Sequence, residues 1–214
     1  MFRCTRFRLL AALGLALAGA AGLAVAKSTP PATLQGGVAP VVRVISGTPL
    51  TIHVGADQSF QVFNADVPGQ GQIYPSDSGP DTADMGWFVR IGGTLFAPDF
   101  DNHPAGSATG GLGTYTPFAN SAISAVTGTG SAADPFRVTV TGTLPGQNVN
   151  VTQAVEYVNG NNYFTKRLSL ANTGGANLSA QVYLGGDIYL ASSDSGVPFR
   201  EPVPGSVGGQ TCRP

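Results

Sequence analysis

The chain has 214 residues, of which only 11% are charged, while 30 are glycine and 16 are proline. Glycine and proline destabilise helix interiors, so this composition indicates short strands and many turns in a single all-β domain. The net charge is −1, and removal of residues 1–26 leaves 8 basic residues against 12 acidic ones. A weakly acidic chain without a basic stripe argues against partners such as nucleic acids or anionic membranes.

Residues 1–26 have the pattern of a signal peptide. Three arginines precede a short apolar run rich in alanine and glycine, and small residues at 24–26 stand before a cleavage point at Lys27. A transmembrane anchor is the alternative interpretation, but the apolar run is short for a membrane span. The sequence therefore predicts an exported protein, extracellular, at the cell surface or in the periplasm, with no membrane insertion after cleavage.

Composition divides the remaining chain into three parts. Residues 27–40 are predicted to be a flexible lead-in, residues 41–200 a β-sandwich domain, and residues 201–214 an irregular segment. Without the signal peptide the chain has one cysteine, Cys212. A lone cysteine in an exported protein suggests a partner elsewhere, so we expect a truncated chain whose Cys212 forms a disulfide beyond its end; a free or intermolecular thiol is the alternative.

The domain is predicted to begin with a strand and a hairpin. The strand covers residues 41–45, and the hairpin pairs residues 50–54 with residues 59–64, since apolar and polar residues alternate in both arms. His53 falls on the polar face of the first arm and is therefore expected to face solvent.

A second hairpin is predicted at residues 87–91 and 94–97, because Gly92-Gly93 between them is a two-residue turn signal. Its first residue is Trp87, the only tryptophan. A single tryptophan in a strand is either a core anchor or a platform on which a ligand stacks. We take Trp87 as the candidate ligand-binding residue.

Two long polar loops, residues 66–86 and 98–118, flank this hairpin. Loops gather at the ends of sandwiches, so these two are expected to form the recognition end of the domain. The second loop contains Asp99, Asp101 and Asn102, whose spacing lets alternate side chains converge on Ca²⁺. Because Asp and Asn are also favoured turn residues, ordinary turn chemistry is the alternative to this metal site.

The second half of the domain has the clearest alternation. Strands are predicted at residues 121–127 and 136–144, followed by an antiparallel meander of three strands at residues 148–190. Lys166 interrupts the apolar face of the middle strand of this meander, which places that strand near a sheet edge. The fold class predicted from all these elements is all-β, an antiparallel β-sandwich of about 8–10 strands.

No motif indicates catalysis. The Gly-x-Ser-x-Gly nucleophile turn and the glycine-rich phosphate-binding turns are absent, and the ligands His53, His103 and Cys212 are too few to predict a zinc site. Only two glutamates are present, Glu156 and Glu201, and the first lies on a predicted solvated strand face.

Five segments carry a resemblance to known proteins, namely residues 91–100, 151–160, 163–164, 170–175 and 193–196. They resemble a group of secreted bacterial β-sandwich proteins to which no activity is assigned. This resemblance covers residues 50–200 and implies a fold and export, without an activity.

The order of strand, Asn-rich turn, strand and Asn-Thr-Gly in residues 151–174 is also similar to the supersandwich of galactose-mutarotase-like proteins. Those enzymes use a catalytic Glu and a catalytic His on central strands, and Glu156, His53 and His103 do not match these positions. Members of both groups are longer than this chain, so the resemblance implies an incomplete supersandwich.

Two functions follow from these observations. The first is a non-enzymatic binding module at the cell surface or in the medium, with a glycan or another surface molecule as partner and no cofactor other than Ca²⁺. The alternative is a carbohydrate-active enzyme of the galactose-mutarotase-like type, with catalytic residues partly beyond the chain end. A structural spacer is a third interpretation.

Overall fold

The computed structural model describes residues 41–66, 82, 85–103, 114–186, 197–200 and 207–210. The predicted signal peptide, the predicted lead-in and Cys212 lie outside these ranges. Among the described residues, no helix is long and apolar enough to cross a bilayer.

Thirteen β-strands and one turn of 3-10 helix, Phe100–Asn102, make up the regular structure of the described residues. The strands are β1 Val42–Ser46, β2 Leu50–Gly55, β3 Phe60–Asn64, β4 Gly86–Ile91, β5 Thr94–Ala97, β6 Thr116–Pro117, β7 Ala119–Ile123, β8 Phe136–Thr143, β9 Val149–Tyr157, β10 Thr165–Asn172, β11 Ala180–Gly185, β12 Val197–Arg200 and β13 Val207–Gln210. Ten of them are the strands predicted from the sequence; β6, β12 and β13 are additional.

The strands form three sheets and a separate hairpin. Sheet I has the order β10-β9-β8-β7, sheet II the order β1-β2-β3, and sheet III the order β11-β4-β5-β6. All pairings in these sheets are antiparallel except that of β5 with β6, and β12 pairs only with β13. The predicted all-β, antiparallel fold class is therefore confirmed.

Two hydrophobic clusters join the sheets into two layers. The first connects sheet II with β8 and β9 and contains Ile45, Leu50, Ile52, Val54, Phe60, Val62, Met85, Val138, Val140, Val155 and Tyr157. The second connects sheet III with β9 and contains Val89, Ile91, Phe96, Phe118, Leu144, Val149 and Val151. Sheet I is thus one layer, and sheets II and III share the other. Full burial of each such side chain contributes about 1.5–3 kcal/mol.

The predicted turn after β9 is confirmed, and it fastens sheet I to sheet II. Gly160 has a positive φ of 95° and its N–H donates to the Thr48 carbonyl at 2.7 Å. The Thr48 N–H in turn donates to Asn159 Oδ1 at 2.7 Å. This pair of hydrogen bonds holds the β9–β10 turn against the loop between β1 and β2.

The prediction of a three-stranded meander is wrong in its third strand. β10 pairs with β9 as expected, but β11 pairs with β4 in sheet III. The reason lies in the connection after β10, where the Thr173 N–H donates to the Asn148 carbonyl at 2.7 Å and Asn172 Nδ2 donates to the Ala176 carbonyl at 2.8 Å. The first bond ties the connection to the β8–β9 turn and the second bends the connection itself, so the chain crosses the end of sheet I instead of returning along β10.

The prediction that His53 faces solvent is also wrong. His53 is only 7% exposed, and its ring centroid lies 4.8 Å from that of Phe63. β2 is the middle strand of sheet II, and Phe63 on β3 is the diagonal neighbour of His53 on the same face. Packing against this aromatic ring covers the imidazole.

Candidate functional site

A group of buried polar side chains lies where the three sheets meet, and we call it the interior polar site. Six of its buried side-chain nitrogen and oxygen atoms have no hydrogen-bond partner. They belong to Gln58, Trp87, Gln153 and Lys166, which come from all three sheets or their turns. Because buried polar atoms in folded proteins are nearly always paired, such a group requires an explanation.

Gln153 marks the boundary between the two hydrophobic clusters. On the inward face of β9, Val151 belongs to the second cluster and Val155 to the first, with Gln153 between them. Gln153 is fully buried, and both atoms of its amide are unpaired. An amide at this inward position interrupts an otherwise apolar face. It adds polar atoms to the site and packs no better than an apolar side chain would.

Lys166 reaches the same place from the neighbouring strand. It is paired in register with Val155, and therefore shares the inward face of sheet I and lies diagonal to Gln153. Its Nζ atom is buried, 3.4 Å from the ring centroid of Phe60 and 5.7 Å from that of Trp87. One amine from sheet I thus lies against a ring of sheet II and a ring of sheet III.

The environment of Lys166 favours its neutral form. Burial lowers the pKa of Lys166 well below its ordinary value, and the negative charge of Asp57 opposes this shift only in part. Nζ donates no hydrogen bond that would hold it as an ammonium ion. β10 is an end strand of sheet I, as predicted, but the amine turns inward instead of reaching solvent.

Gln58 approaches the site from the turn between β2 and β3. It is fully buried and has a positive φ of 77°. A Cβ atom at Gly142 would lie 3.2 Å from Gln58 Nε2, so the glycine leaves room for this amide. Gly142 is paired with Val151 and is therefore a diagonal neighbour of Gln153. The register thus brings both unpaired amides to one stretch of sheet I.

The same turn carries a second, fully paired polar group. His103 Nε2 donates to Asp57 Oδ2 at 2.8 Å, and the Ser59 hydroxyl and N–H both donate to Asp57 Oδ1. The hydroxyl oxygens of Ser59 and Thr82 lie 2.7 Å apart. The side chains of His103 and Asp57 are 0% and 10% exposed. This network is closed to solvent and orders the turn beside the interior polar site.

Trp87, the predicted ligand-binding residue, contributes to the interior polar site. It is half-buried on the same face of β4 as Val89 and Ile91, and its indole Nε1 is buried without a partner. The tryptophan therefore faces the space between the sheets. Residues 67–81 and 104–113, which make up most of the two predicted recognition loops, lie outside the described residues.

The predicted calcium ligands lie at the 3-10 turn and contribute no atom to the interior polar site. Asn102 Nδ2 donates to Asp99 Oδ2 within the turn, while Asp101 is exposed and its N–H donates to the Tyr115 hydroxyl at 3.1 Å. Burial and the charge of Asp101 raise the pKa of Tyr115. Within the described ranges, no three His, Cys, Asp or Glu side chains are arranged to hold a metal ion. Calcium binding at this turn stays a prediction.

One edge of the sandwich, between β10 and β11, lies beside the interior polar site. β10 and β11 are end strands of sheets I and III. On β11, Val182 and Leu184 are paired with Val89 and Trp87 and so share their inward face, yet they are 43% and 54% exposed. Inward side chains with this exposure mark an open edge between the layers, directly beside Trp87.

Sequence reasoning did not single out Gln58 or Gln153, and it placed Lys166 at an edge without a role. The signal that identifies Gln153 is a polar residue at an inward position of a strand whose other inward residues are apolar. No such local signal exists for Gln58, because its burial depends on strands more than 80 residues away in the chain.

No match was found to a protein-family model, to a curated protein or to a solved structure. The resemblances stated from the sequence therefore stay predictions.

Proposed function

We propose that this chain is an exported, non-enzymatic β-sandwich module that binds a small polyhydroxylated ligand, such as a sugar, in the interior polar site. The observation that carries the proposal is the group of six buried, unpaired polar atoms. Leaving a buried donor or acceptor unpaired costs about 1–3 kcal/mol, and a ligand that supplies the partners removes this cost.

The chemistry of the unpaired atoms suits hydroxyl groups. The amides of Gln58 and Gln153 each offer a donor and an acceptor, and Trp87 Nε1 offers a further donor. A hydroxyl group both donates and accepts, so several hydroxyls on one small molecule match this mixture better than an anion or a cation does.

Aromatic rings complete this site. Phe60 and Trp87 lie next to the Lys166 amine and supply apolar faces. Small-molecule sites typically combine apolar walls with a few well-placed polar groups. A sugar ring has an apolar face and a polar rim, so it would use both features. This supports the glycan-binding expectation derived from Trp87.

Asp57, His103 and Glu156 are already engaged in hydrogen bonds, which favours binding over catalysis by these groups. Asp57 and His103 hydrogen-bond to each other away from solvent. Glu156 accepts hydrogen bonds from Arg137 Nε and Nη2 at 2.8 and 2.7 Å on the other face of sheet I. The pattern of residues 1–26 supports export.

Calorimetric titration tests the proposal. Methyl glycosides and polyols are titrated into the purified protein, into Gln153→Met and into Gln181→Met. Gln181 is an exposed glutamine on β11 and serves as the matched control. We expect saturable binding that Gln153→Met abolishes and Gln181→Met retains. Equal binding by all three proteins, or no binding across the panel, contradicts the proposal.

A carbohydrate-active enzyme is the second candidate, and the Asp57–His103 hydrogen bond is the observation in its favour. A carboxylate that orients an imidazole is a common acid–base arrangement. Polarimetry of freshly dissolved glucose tests it. Faster mutarotation that His103→Gln abolishes would support this candidate, and an unchanged rate with the parent protein would exclude mutarotase activity toward glucose.

A further inference from the structure

Lys166 has two properties that simple hydrogen bonding to a sugar does not require. Its amine is buried without any hydrogen-bond partner, and it lies over the face of an aromatic ring, Phe60. The chain has only one other lysine, Lys27. A surface role would keep the amine in solvent, and a structural role would pair it with a carboxylate or a carbonyl group.

We propose that Lys166 captures carbonyl ligands covalently, by forming a reversible imine with an aldehyde or ketone group held in the interior polar site. The inference rests on the proposed function, because it places the ligand in the same site. It adds a chemical class, namely aldehydes, ketones and sugars in their open-chain form.

The geometry provides the nucleophile. Imine formation requires an amine whose lone pair is available, and Lys166 Nζ has no partner with which it is shared. The amine must also be neutral, and burial lowers the pKa of Lys166 well below its ordinary value. The charge of Asp57, which hydrogen-bonds to His103, acts in the opposite direction without pairing directly with Nζ.

The step balances without an oxidant or a reductant. The lone pair of Nζ attacks the carbonyl carbon, a C–N bond forms, and the oxygen takes a proton to give a carbinolamine. The C–O bond then breaks, the oxygen leaves as water, and the nitrogen loses its remaining proton to give the neutral imine. Net, one amine and one carbonyl compound give one imine and one water molecule.

Neighbouring groups assist each part of this step. Gln153, the diagonal neighbour of Lys166 on the inward face, has an unpaired amide that can donate to the carbinolamine oxygen. The rings of Phe60 and Trp87 restrict water around the C=N bond, which slows its hydrolysis. The open edge beside Leu184 provides a path for a small carbonyl compound.

Reductive trapping tests the inference. The purified protein is incubated at pH 7 with glycolaldehyde and cyanoborohydride, which delivers hydride to an imine. Label at the two Nζ atoms is quantified by fragmentation mass spectrometry, which separates Lys27 Nζ from the α-amine that cleavage before Lys27 would leave. An ordinary lysine is almost entirely protonated at this pH, so we expect Lys166 to be labelled at least about tenfold faster than Lys27. Labelling of Lys166 at the rate of Lys27, or more slowly, overturns the inference.

Two controls test whether the folded environment of Lys166, and not its local sequence, causes its reactivity. In 8 M urea Lys166 loses its folded environment, so the expected difference in rate between the two lysines disappears; a difference that persists would show that local sequence causes it and would overturn the inference. Between pH 7 and pH 9 the neutral fraction of an ordinary lysine rises about tenfold per pH unit, whereas that of Lys166 should rise much less, so the ratio of labelling at Lys166 to labelling at Lys27 should fall. Equal pH profiles for the two lysines also overturn it.

Reductive trapping and glycoside binding together distinguish covalent capture by Lys166 from non-covalent binding in the interior polar site. Methyl glycosides have no free carbonyl group and bind without forming an imine. If they bind while glycolaldehyde fails to label Lys166, covalent capture fails and the binding module stands. If glycolaldehyde labels Lys166 while no glycoside binds, covalent capture stands and the polyhydroxylated ligand is rejected.

Discussion

Lys166 Nζ lies 3.4 Å from the centroid of the Phe60 ring and has no hydrogen-bond partner. The two residues belong to different layers of the sandwich, so this contact brings an ionisable group into the space between the sheets. A buried amine of this kind destabilises the folded state, because its charged form loses hydration that an aromatic ring face replaces only in part. Its position beside unpaired amides is better explained by ligand binding than by folding.

Substitution of Lys166 by Met is expected to stabilise the protein. Methionine keeps the length of the side chain and removes the unpaired amine, so the free energy of unfolding at pH 7 should rise by about 1–3 kcal/mol. Arg167→Met, on the exposed face of the same strand, is the matched control and should change it little. Urea denaturation measures the free energy of unfolding of both variants. A Lys166→Met protein less stable than the parent would contradict the claim that the buried amine destabilises the folded state.

The stabilisation by Lys166→Met should shrink as the pH rises. The pKa of Lys166 is lowered in the folded state, so between that lowered value and the ordinary value near 10.5 the unfolded chain binds one more proton than the folded protein. Stability of the parent protein therefore rises with pH across this window. The difference between parent and variant should be smaller at pH 10 than at pH 7; a constant difference would show that the amine does not titrate abnormally.

Removal of the Asp57 carboxylate should destabilise the turn beside the site. Asp57→Ala removes the carboxylate that accepts hydrogen bonds from His103 and Ser59, and loss of a buried hydrogen-bond acceptor costs about 1–3 kcal/mol. Asp101→Ala, at an exposed position of the 3-10 turn, is the control and should have little effect. Thermal unfolding of both variants decides this, and equal midpoints would be inconsistent with a structural role for Asp57.

Two glycines give a matched test of packing around the same turn. A Cβ atom at Gly55 would lie 2.5 Å from both Asp57 Oδ1 and Ser59 Oγ, whereas one at Gly93 meets nothing within 4 Å. Gly55→Ala should therefore lower the free energy of unfolding by about 1–3 kcal/mol, and Gly93→Ala should leave it nearly unchanged. Denaturant titration measures the free energy of unfolding of both variants. An unchanged free energy for Gly55→Ala would mean that the turn has room for a Cβ atom at Gly55.

Trp87 offers an optical test because it is the only tryptophan. Its ring lies at the open edge of the sandwich, so a ligand in the interior polar site should protect it from quenching by acrylamide. The Stern–Volmer constant is expected to fall on addition of a binding glycoside to the parent protein and to stay unchanged in Gln153→Met. Unaltered quenching of the parent protein at saturating ligand would place the ligand elsewhere.

Much of the fold follows from local patterns in the sequence. The alternation of valines in β9 identifies its inward face, and Gly92-Gly93 identifies the β4–β5 turn. The partner of β11 does not follow, because alternation shows which side chains share a face and not which strand lies beside them. Hydrogen bonds from Thr173 to Asn148 decide that pairing, and they join residues 25 positions apart.

The candidate site was predicted only at Trp87. Lys166 has the sequence pattern of an edge lysine that would reach solvent, and its inward direction depends on the rings of Phe60 and Trp87 from other sheets. His53 was expected to face solvent because its neighbours in the chain are apolar, and the covering ring of Phe63 belongs to another strand. Burial of polar side chains is therefore the property that local periodicity predicts least well.

The most direct test of the account is to observe the amine itself while a ligand is added. With two lysines in the chain, ¹⁵N-detected NMR of lysine side chains gives at most two Nζ signals, and Lys166→Met assigns them. Binding in the interior polar site predicts a saturable shift of the Lys166 signal on titration with a methyl glycoside, while the Lys27 signal stays in place. A Lys166 signal that does not move at concentrations where calorimetry detects binding would contradict the central claim.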